Sequence, residues 1–143
     1  RDPSLAEAWS RRGQVLATLG RYEDAATTLS RSLDLSPRDA PAWFSLAEVQ
    51  ERLGRRELAA QSLEKGLSLE PSRAEAWYRK GILLHGLDRF EEAKRSLDEA
   101  LRLAPDRAEI WLRHGITLLA LPFFVVLPYP WRGRSRPLGS IPE

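Results

Sequence analysis

The chain has 143 residues, with 22 basic and 20 acidic side chains, two histidines and neither cysteine nor methionine. A hydrophobic fraction of 43% with 29% charged residues excludes a disordered or collagen-like chain, and the absence of cysteine excludes a disulfide scaffold and a thiolate zinc site. Three cations, Arg132, Arg134 and Arg136, and one anion, Glu143, follow residue 121, so residues 1–121 carry equal numbers of basic and acidic groups. The sequence therefore predicts no nucleic-acid partner, which would require a concentrated cationic face.

A period of 34 residues runs along the chain. The tryptophans that reveal it are Trp9, Trp43, Trp77 and Trp111, and alanine, leucine and proline recur at the same interval. Within one period, apolar and small residues stand three and four positions apart, the spacing of one face of an α-helix. At this spacing we predict that the tryptophans are core residues.

Each period contains signals for two helices. The first helix is predicted to begin at a capping box and to end at a residue that accepts the left-handed conformation. The boxes are Ser4 with Glu7, Ser72 with Glu75 and the variant Asp106 with Glu109, while Asp39 is the candidate cap of the second unit. The turn residues are Gly20, Gly54 and Asp88. The second helices are predicted to begin at Tyr22, Arg56 and Phe90 and to end before Pro37, Pro71 and Pro105.

These elements divide the chain into repeated units and a tail. We predict that residues 1–5 end a preceding repeat, that 6–39, 40–73 and 74–107 are three full repeats, that 108–121 is the first helix of a truncated fourth, and that 122–143 is a non-repeat apolar and basic tail. Because the pattern is interrupted at both ends, we interpret the chain as part of a longer array.

The repeated pattern resembles the tetratricopeptide repeat family over about residues 4–121. In the first unit the matching residues are Trp9, Gly13, Gly20, Tyr22, Ala25, Leu29 and Pro37. The resemblance implies an all-α fold, a right-handed solenoid of stacked antiparallel helix pairs, whose first helices line a concave groove for extended or helical peptides. It implies an interaction scaffold that binds a protein or peptide, with no catalytic activity and no cofactor.

The resemblance also assigns groove positions in the first helices. The residues predicted to line a peptide-binding groove are Arg11, Gln14, Phe44, Ser45, Glu48, Tyr78, Arg79, Ile82, Leu112 and Arg113. Arg11, Arg79 and Arg113 share one register position, and a guanidinium can pair with a carboxylate through two donors, so this ladder would read an acidic peptide. The alternative is that the arginines pair with glutamates of their own surface, namely Glu7, Glu75 and Glu109.

Other chemistry is not predicted. Chaperone-binding members of the family hold a carboxylate with lysines and asparagines, and the candidate positions here hold Ser10, Gln14, Ser45 and Glu75. Only Arg79 resembles a clamp cation, so binding of heat-shock chaperone tails is not predicted. His85 and His114 lie on different repeats without cysteine, which argues against a metal site. The sequence has no glycine-rich phosphate loop and no nucleophile elbow.

The segment from Pro122 departs from the repeat. Residues 115–131 are an uncharged run of 17 followed by arginines, close to the minimum length of a membrane span, but the run begins inside a periodic helix and contains three prolines. Besides that span, three interpretations stay open: an apolar strip over the end of the solenoid, a discontinuity of the reading frame, and a disordered tail. Two alternative functions also stay open, a substrate-recruiting segment of a larger enzyme such as a glycosyltransferase, and a membrane-associated assembly factor. The sequence does not determine the compartment, although the cytoplasm is favoured, or the oligomeric state.

Overall fold

The computed structural model describes residues 3–122, and this range contains seven α-helices and no strand. The helices are α1 (Pro3–Thr18), α2 (Tyr22–Leu35), α3 (Ala40–Arg52), α4 (Arg56–Leu69), α5 (Ala74–Gly86), α6 (Phe90–Leu103) and α7 (Ala108–Ala120). The predictions made for residues 123–143 lie outside the described residues.

The helices form a linear stack of hairpins. The pairs α1–α2, α3–α4 and α5–α6 pack most extensively, and the second helix of each pair then packs against the first helix of the next. The prediction of an all-α helical repeat solenoid is confirmed.

The turn inside each hairpin depends on one left-handed residue. Gly20 and Gly54 have φ values of 77° and 74°, and Asp88 has φ 59° at the same place in the third hairpin. The following amide closes each turn, as in the bond of 2.9 Å from Arg21 N to Leu16 O. These are the three positions at which the sequence predicts a helix end.

The capping boxes predicted for α5 and α7, in contrast, are not formed. The N-cap residues of α5 and α7 are Arg73 and Arg107, one position after the predicted Ser72 and Asp106, and neither arginine makes a side-chain cap. The candidate cap Asp39 does act in this way, because its Oδ1 accepts a bond of 3.1 Å from the amide of Ala42.

The core consists of equivalent small and apolar residues from successive repeats. Leu29, Leu63 and Leu97 are fully buried, and so are the alanines four residues before each of them. Small residues on the facing first helix let the backbones approach: a Cβ at Gly13 would lie 2.6 Å from Leu29 Cγ. The stack is held together by the burial of these contacts between neighbouring helices, which recur from repeat to repeat.

The tryptophans differ from their predicted place in the core. Trp9, Trp43 and Trp77 are half-buried, and Trp111 is 54% exposed. The indole N–H explains this position, because a buried indole needs an acceptor. The acceptor lies at the junction between repeats. There the Nε1 atoms of Trp43, Trp77 and Trp111 donate to the carbonyls of Pro37, Pro71 and Pro105 over 2.7 to 2.9 Å.

Candidate functional site: the concave face

The first helices form the inner face of the stack. α1 contacts α3 and α5 contacts α7 directly, and the ion pair of Glu51 with Arg79 joins α3 to α5, whereas α2 and α4, or α4 and α6, make no direct backbone contact of the same extent. Since first helices lie closer together than second helices, the stack curves toward them. The predicted groove residues all belong to these inner helices.

Two adjoining clefts cross this inner face. One, of about 440 Å³, lies between α1 and α3 and is lined by Gln14, Ala17, Thr18, Tyr22, Ser45, Glu48, Val49 and Arg52. The other, of about 460 Å³, lies between α3 and α5 and is lined by Glu48, Glu51, Arg52, Glu75 and Arg79. Because Glu48 and Arg52 line both clefts, the two form one groove across three helices.

Four of the predicted groove residues line these clefts, together with residues that were not predicted to do so, among them Tyr22 and Arg52. Gln14, Ser45, Glu48 and Arg79 are the predicted ones, and Gln14 Nε2 donates to Ser45 Oγ over 3.4 Å across the first cleft. Tyr22 and Arg52 were not predicted, because only inner positions of the first helices were considered. Tyr22 begins α2 and Arg52 ends α3, so each lies at a hairpin turn that borders the groove.

Phe44 differs from its predicted role as an apolar contact for a ligand. Its side chain is 8% exposed and belongs to the core around α3 and α4. The ring occupies the space over Gly66, where a Cβ would lie 2.6 Å from Phe44 Cε1. The sequence contains the signal for this, since glycine replaces the serine and alanine that the other repeats have at Ser32 and Ala100.

The three arginines of the predicted ladder have different partners. Arg11 pairs with Glu7 over 2.6 Å on an exposed surface, which is the predicted internal pair. Arg79 pairs with Glu51 of the preceding repeat and not with Glu75: its Nε and Nη2 atoms donate to Glu51 Oε1 over 3.0 and 2.5 Å. Arg113 makes no ion pair with any residue in the range that the structure describes.

The predicted pairs of Arg79 with Glu75 and of Arg113 with Glu109 are therefore wrong. Both glutamates pair with Arg107, which lies 2.7 Å from Glu75 and 2.5 Å from Glu109. Arg107 precedes α7 at the repeat junction, so its side chain reaches back to α5 and forward into α7 at once.

The pair of Glu51 and Arg79 is the most buried ion pair between an arginine and a glutamate in the described range, with both side chains about one quarter exposed. Burial raises the pKa of the Glu51 carboxyl above its ordinary value, although the charge and hydrogen bonds of Arg79 act in the opposite direction. The carboxylate in the middle of the groove is thus poorly solvated and incompletely compensated. A ligand carboxylate that reaches Arg79 must compete with it.

The remaining predicted groove residues lie toward the end of the stack. Tyr78 and Ile82 on α5 are half-buried, and the guanidinium of Arg107 lies 5.8 Å from the Tyr78 ring centre. Leu112 on α7 is 68% exposed.

Both histidines have partners of their own. His85 Nδ1 lies 3.0 Å from Thr117 Oγ1, and His114 Nε2 lies 2.7 Å from Asp98 Oδ1. Among residues 3–122 no three histidine or carboxylate side chains are grouped so that they could hold a metal ion. Within the same range, no helix has the length and apolar character needed to cross a membrane.

A stack of helix hairpins with a groove along its first helices defines a class, the all-α helical repeat proteins. Family models of the tetratricopeptide repeat match residues 1–40, 10–67 and 74–107. The chain belongs to the tetratricopeptide repeat family. A search of curated proteins gave no sequence match.

Solved structures share this fold. The first TPR domain of Spaghetti (RPAP3), bound to the HSP90 peptide SRMEEVD, is similar with a TM-score of 0.75 and 23% identity, over 83% of this chain and 94% of that one. The second TPR domain of human RPAP3, in complex with the HSP70 peptide SGPTIEEVD, gives 0.73 and 20%, over 81% and 98%. MamA from Desulfovibrio magneticus RS-1 gives 0.73 and 26%, over 82% of this chain and 65% of that one, so this chain spans less than two thirds of it.

Proposed function

We propose that the chain is a protein–protein interaction scaffold and that its groove binds an acidic segment of a partner protein. The observation that carries this proposal is the continuous groove across α1, α3 and α5 with Arg52 and Arg79 in its wall. Structures of the same fold hold the acidic peptides SRMEEVD and SGPTIEEVD. The clamp lysines and asparagines are absent here, so the proposed ligand is an acidic segment and not a chaperone tail.

Arg79 is the proposed anchor of the ligand. A ligand carboxylate would take the place of Glu51 on the guanidinium, where two donors already point toward a single oxygen. The exchange is favoured because Glu51 is held in the groove against a desolvation penalty that its release into water would remove. Arg113, which has no ion pair within the described range, would supply a second cation further along the inner face.

A photo-crosslinking experiment tests the proposed groove. A benzophenone amino acid at Ser45, in the first cleft, should capture a partner segment rich in aspartate or glutamate, identified by mass spectrometry of the crosslinked peptide. The matched control carries the same group at Glu64, an exposed residue of the second helix α4.

The groove proposal also requires that Arg79→Glu abolish the crosslink from Ser45 while the helical circular-dichroism signal is kept. Equal capture from Ser45 and Glu64, or capture that survives Arg79→Glu, would contradict it. Neither alternative function, an enzyme's recruiting segment or a membrane-associated assembly factor, is favoured by an arrangement of the described residues.

A further inference from the structure

On the side of α7 that corresponds to the contact between the two helices of a hairpin, the described residues leave a position for a leucine side chain unfilled. In the hairpins α1–α2 and α5–α6, a glycine of the first helix lies against a leucine of the second: a Cβ at Gly13 would be 2.6 Å from Leu29 Cγ, and one at Gly81 would be 2.7 Å from Leu97 Cγ. Gly115 has the same register on α7, and a Cβ there would meet no atom of residues 3–122 within 4 Å. We call this position the leucine slot of α7.

The slot is surrounded by exposed apolar side chains. Trp111, Leu112, Ile116 and Leu119 of α7 are all exposed, Leu119 to 66%. Their equivalents on α5, which include Trp77, Tyr78 and Ile82, are half-buried, and Trp77 and Tyr78 pack against a cluster formed by α6 and α7. Such an apolar patch is typical of a binding surface for another helix.

The sequence after α7 does not supply the pattern of a second helix. In three repeats an arginine is followed four residues later by alanine and eight residues later by leucine, as in Arg89, Ala93 and Leu97. The corresponding positions after α7 are Phe123, Leu127 and Trp131. The exposed side of α7 therefore fits a helix with this arginine, alanine and leucine pattern, which the segment after α7 does not have.

A repeated ion pair indicates the charge of that helix. The arginines before α4 and α6 reach back to a glutamate in the previous second helix: Arg55 Nη2 is 2.7 Å from Glu23 Oε1, and Arg89 Nη1 is 2.9 Å from Glu57 Oε1. The next glutamate of this series is Glu91 on α6. It is exposed and makes no ion pair with any residue between 3 and 122, and the position of its expected arginine holds Phe123.

We propose that α7 and Glu91 together bind an amphipathic helix of a partner protein. This helix has an arginine directly before its first turn, an alanine four residues later and a leucine eight residues later. The arginine pairs with Glu91, the alanine allows close approach to α7, and the leucine occupies the leucine slot. This proposal uses a surface at the end of the stack and does not depend on the groove proposed above.

The test uses the full chain and a fluorescein-labelled peptide of the chain's own residues 89–103, RFEEAKRSLDEALRL, which carries the required pattern. Fluorescence anisotropy should show saturable binding, and the peptide with Leu97→Asp should not bind. In the protein, Gly115→Leu should weaken binding by ~10-fold or more, because the slot is then filled from within. This variant should not unfold the protein, because the position has no neighbour within 4 Å among the described residues and leucine favours a helix.

A charge exchange tests the pairing. Glu91→Arg in the protein should weaken binding by about threefold, as expected for a partly exposed ion pair, and Arg89→Glu in the peptide should restore it. Glu64→Arg, which changes an exposed glutamate of α4, is the matched control and should leave binding unchanged.

Absence of saturable binding, or binding that is insensitive to Gly115→Leu, would overturn the proposal. If binding is absent and the full chain sediments as a dimer, a second copy covers the face instead. If binding is absent from a monomer and gained on removal of residues 123–143, that segment is the occupant. Because Arg79→Glu leaves α7 unchanged, it should not affect this peptide, and failure of the groove proposal can be recognised separately.

Discussion

Glu51 compensates the charge of a neighbouring arginine at a position where its own carboxylate is poorly solvated. It neutralises Arg79 across a repeat junction, yet its own carboxylate is partly removed from water. Such a residue is suited to a site where the internal partner is exchanged for a ligand, because a ligand carboxylate would keep Arg79 paired while the Glu51 carboxylate returns to water.

The raised pKa of Glu51 predicts a defined pH dependence of stability. The folded state binds this proton more tightly than the unfolded state, so the contribution of Glu51 to the free energy of unfolding is greatest below pH 4.5 and declines as the pH rises through the folded-state pKa. Relative to the wild type, Glu51→Gln should therefore become more stable as the pH is raised from about 4 to 7, measured by urea unfolding.

Glu92 provides a control of opposite sign. Its hydrogen bond from Arg89 holds its pKa below the ordinary value, so its contribution to stability is present above pH 4.5 and is lost on acidification. Glu92→Gln should thus become less stable relative to the wild type over the same pH rise. If both variants changed in the same direction, the interpretation of Glu51 would be wrong.

For single residues, the sequence predicts the position of a side chain on its helix more reliably than the side chain with which it pairs. The register of Arg79 follows from the period, but a long side chain can reach several carboxylates, and here Glu75 pairs with Arg107 while Arg79 pairs with Glu51 of the preceding repeat. Phe44 was misplaced because its groove position was considered without Gly66 on the facing helix, whose missing side chain leaves room for the ring.

Each hairpin turn is a local element that the sequence specifies almost completely. The left-handed residue follows the first helix by a fixed number of positions, and glycine meets the requirement in two turns. Helix starts were predicted less well, since the N-caps at Arg73 and Arg107 have no capping side chain and the geometry is fixed by the packed hairpins. The tertiary contacts there outweigh a local preference.

Among the three left-handed turn residues, only Asp88 has a Cβ, so only there does the left-handed backbone cost conformational free energy. Asp88→Gly should raise the free energy of unfolding by about 0.5–1 kcal/mol, because glycine adopts φ near +60° without a Cβ clash. Gly54→Ala should lower it by roughly 1–2 kcal/mol for the same reason. Urea unfolding of both variants checks the pair, and a destabilised Asp88→Gly would show that the aspartate side chain supports the turn.

Over the whole molecule, cohesion comes from the repeated helix-on-helix interfaces, with surface ion pairs adding little. The pairs of Arg55 with Glu23 and Arg89 with Glu57 bridge successive repeats but are largely exposed, so water and salt weaken them. The fully buried leucines and alanines recur in every hairpin and dominate the burial. In such an array the loss of one contact is felt mainly by the repeats that meet there.

Trp77 lies at a junction in the middle of the stack, and Trp111 lies on the last described helix. The two residues therefore allow packing at these two places to be compared. Trp77 packs against both the core around α3 to α5 and the core around α6 and α7, whereas Trp111 on α7 is 54% exposed, and each donates to a proline carbonyl. The hydrogen bonds are equivalent, so the difference between the two alanine variants isolates packing across the junction. Trp77→Ala should cost roughly 3 kcal/mol, near the lower limit for a large aromatic residue, and Trp111→Ala about 1 kcal/mol. Urea unfolding followed by far-UV circular dichroism measures both, and equal losses would mean that the tryptophans stabilise through the proline bond and not through the stacking of repeats.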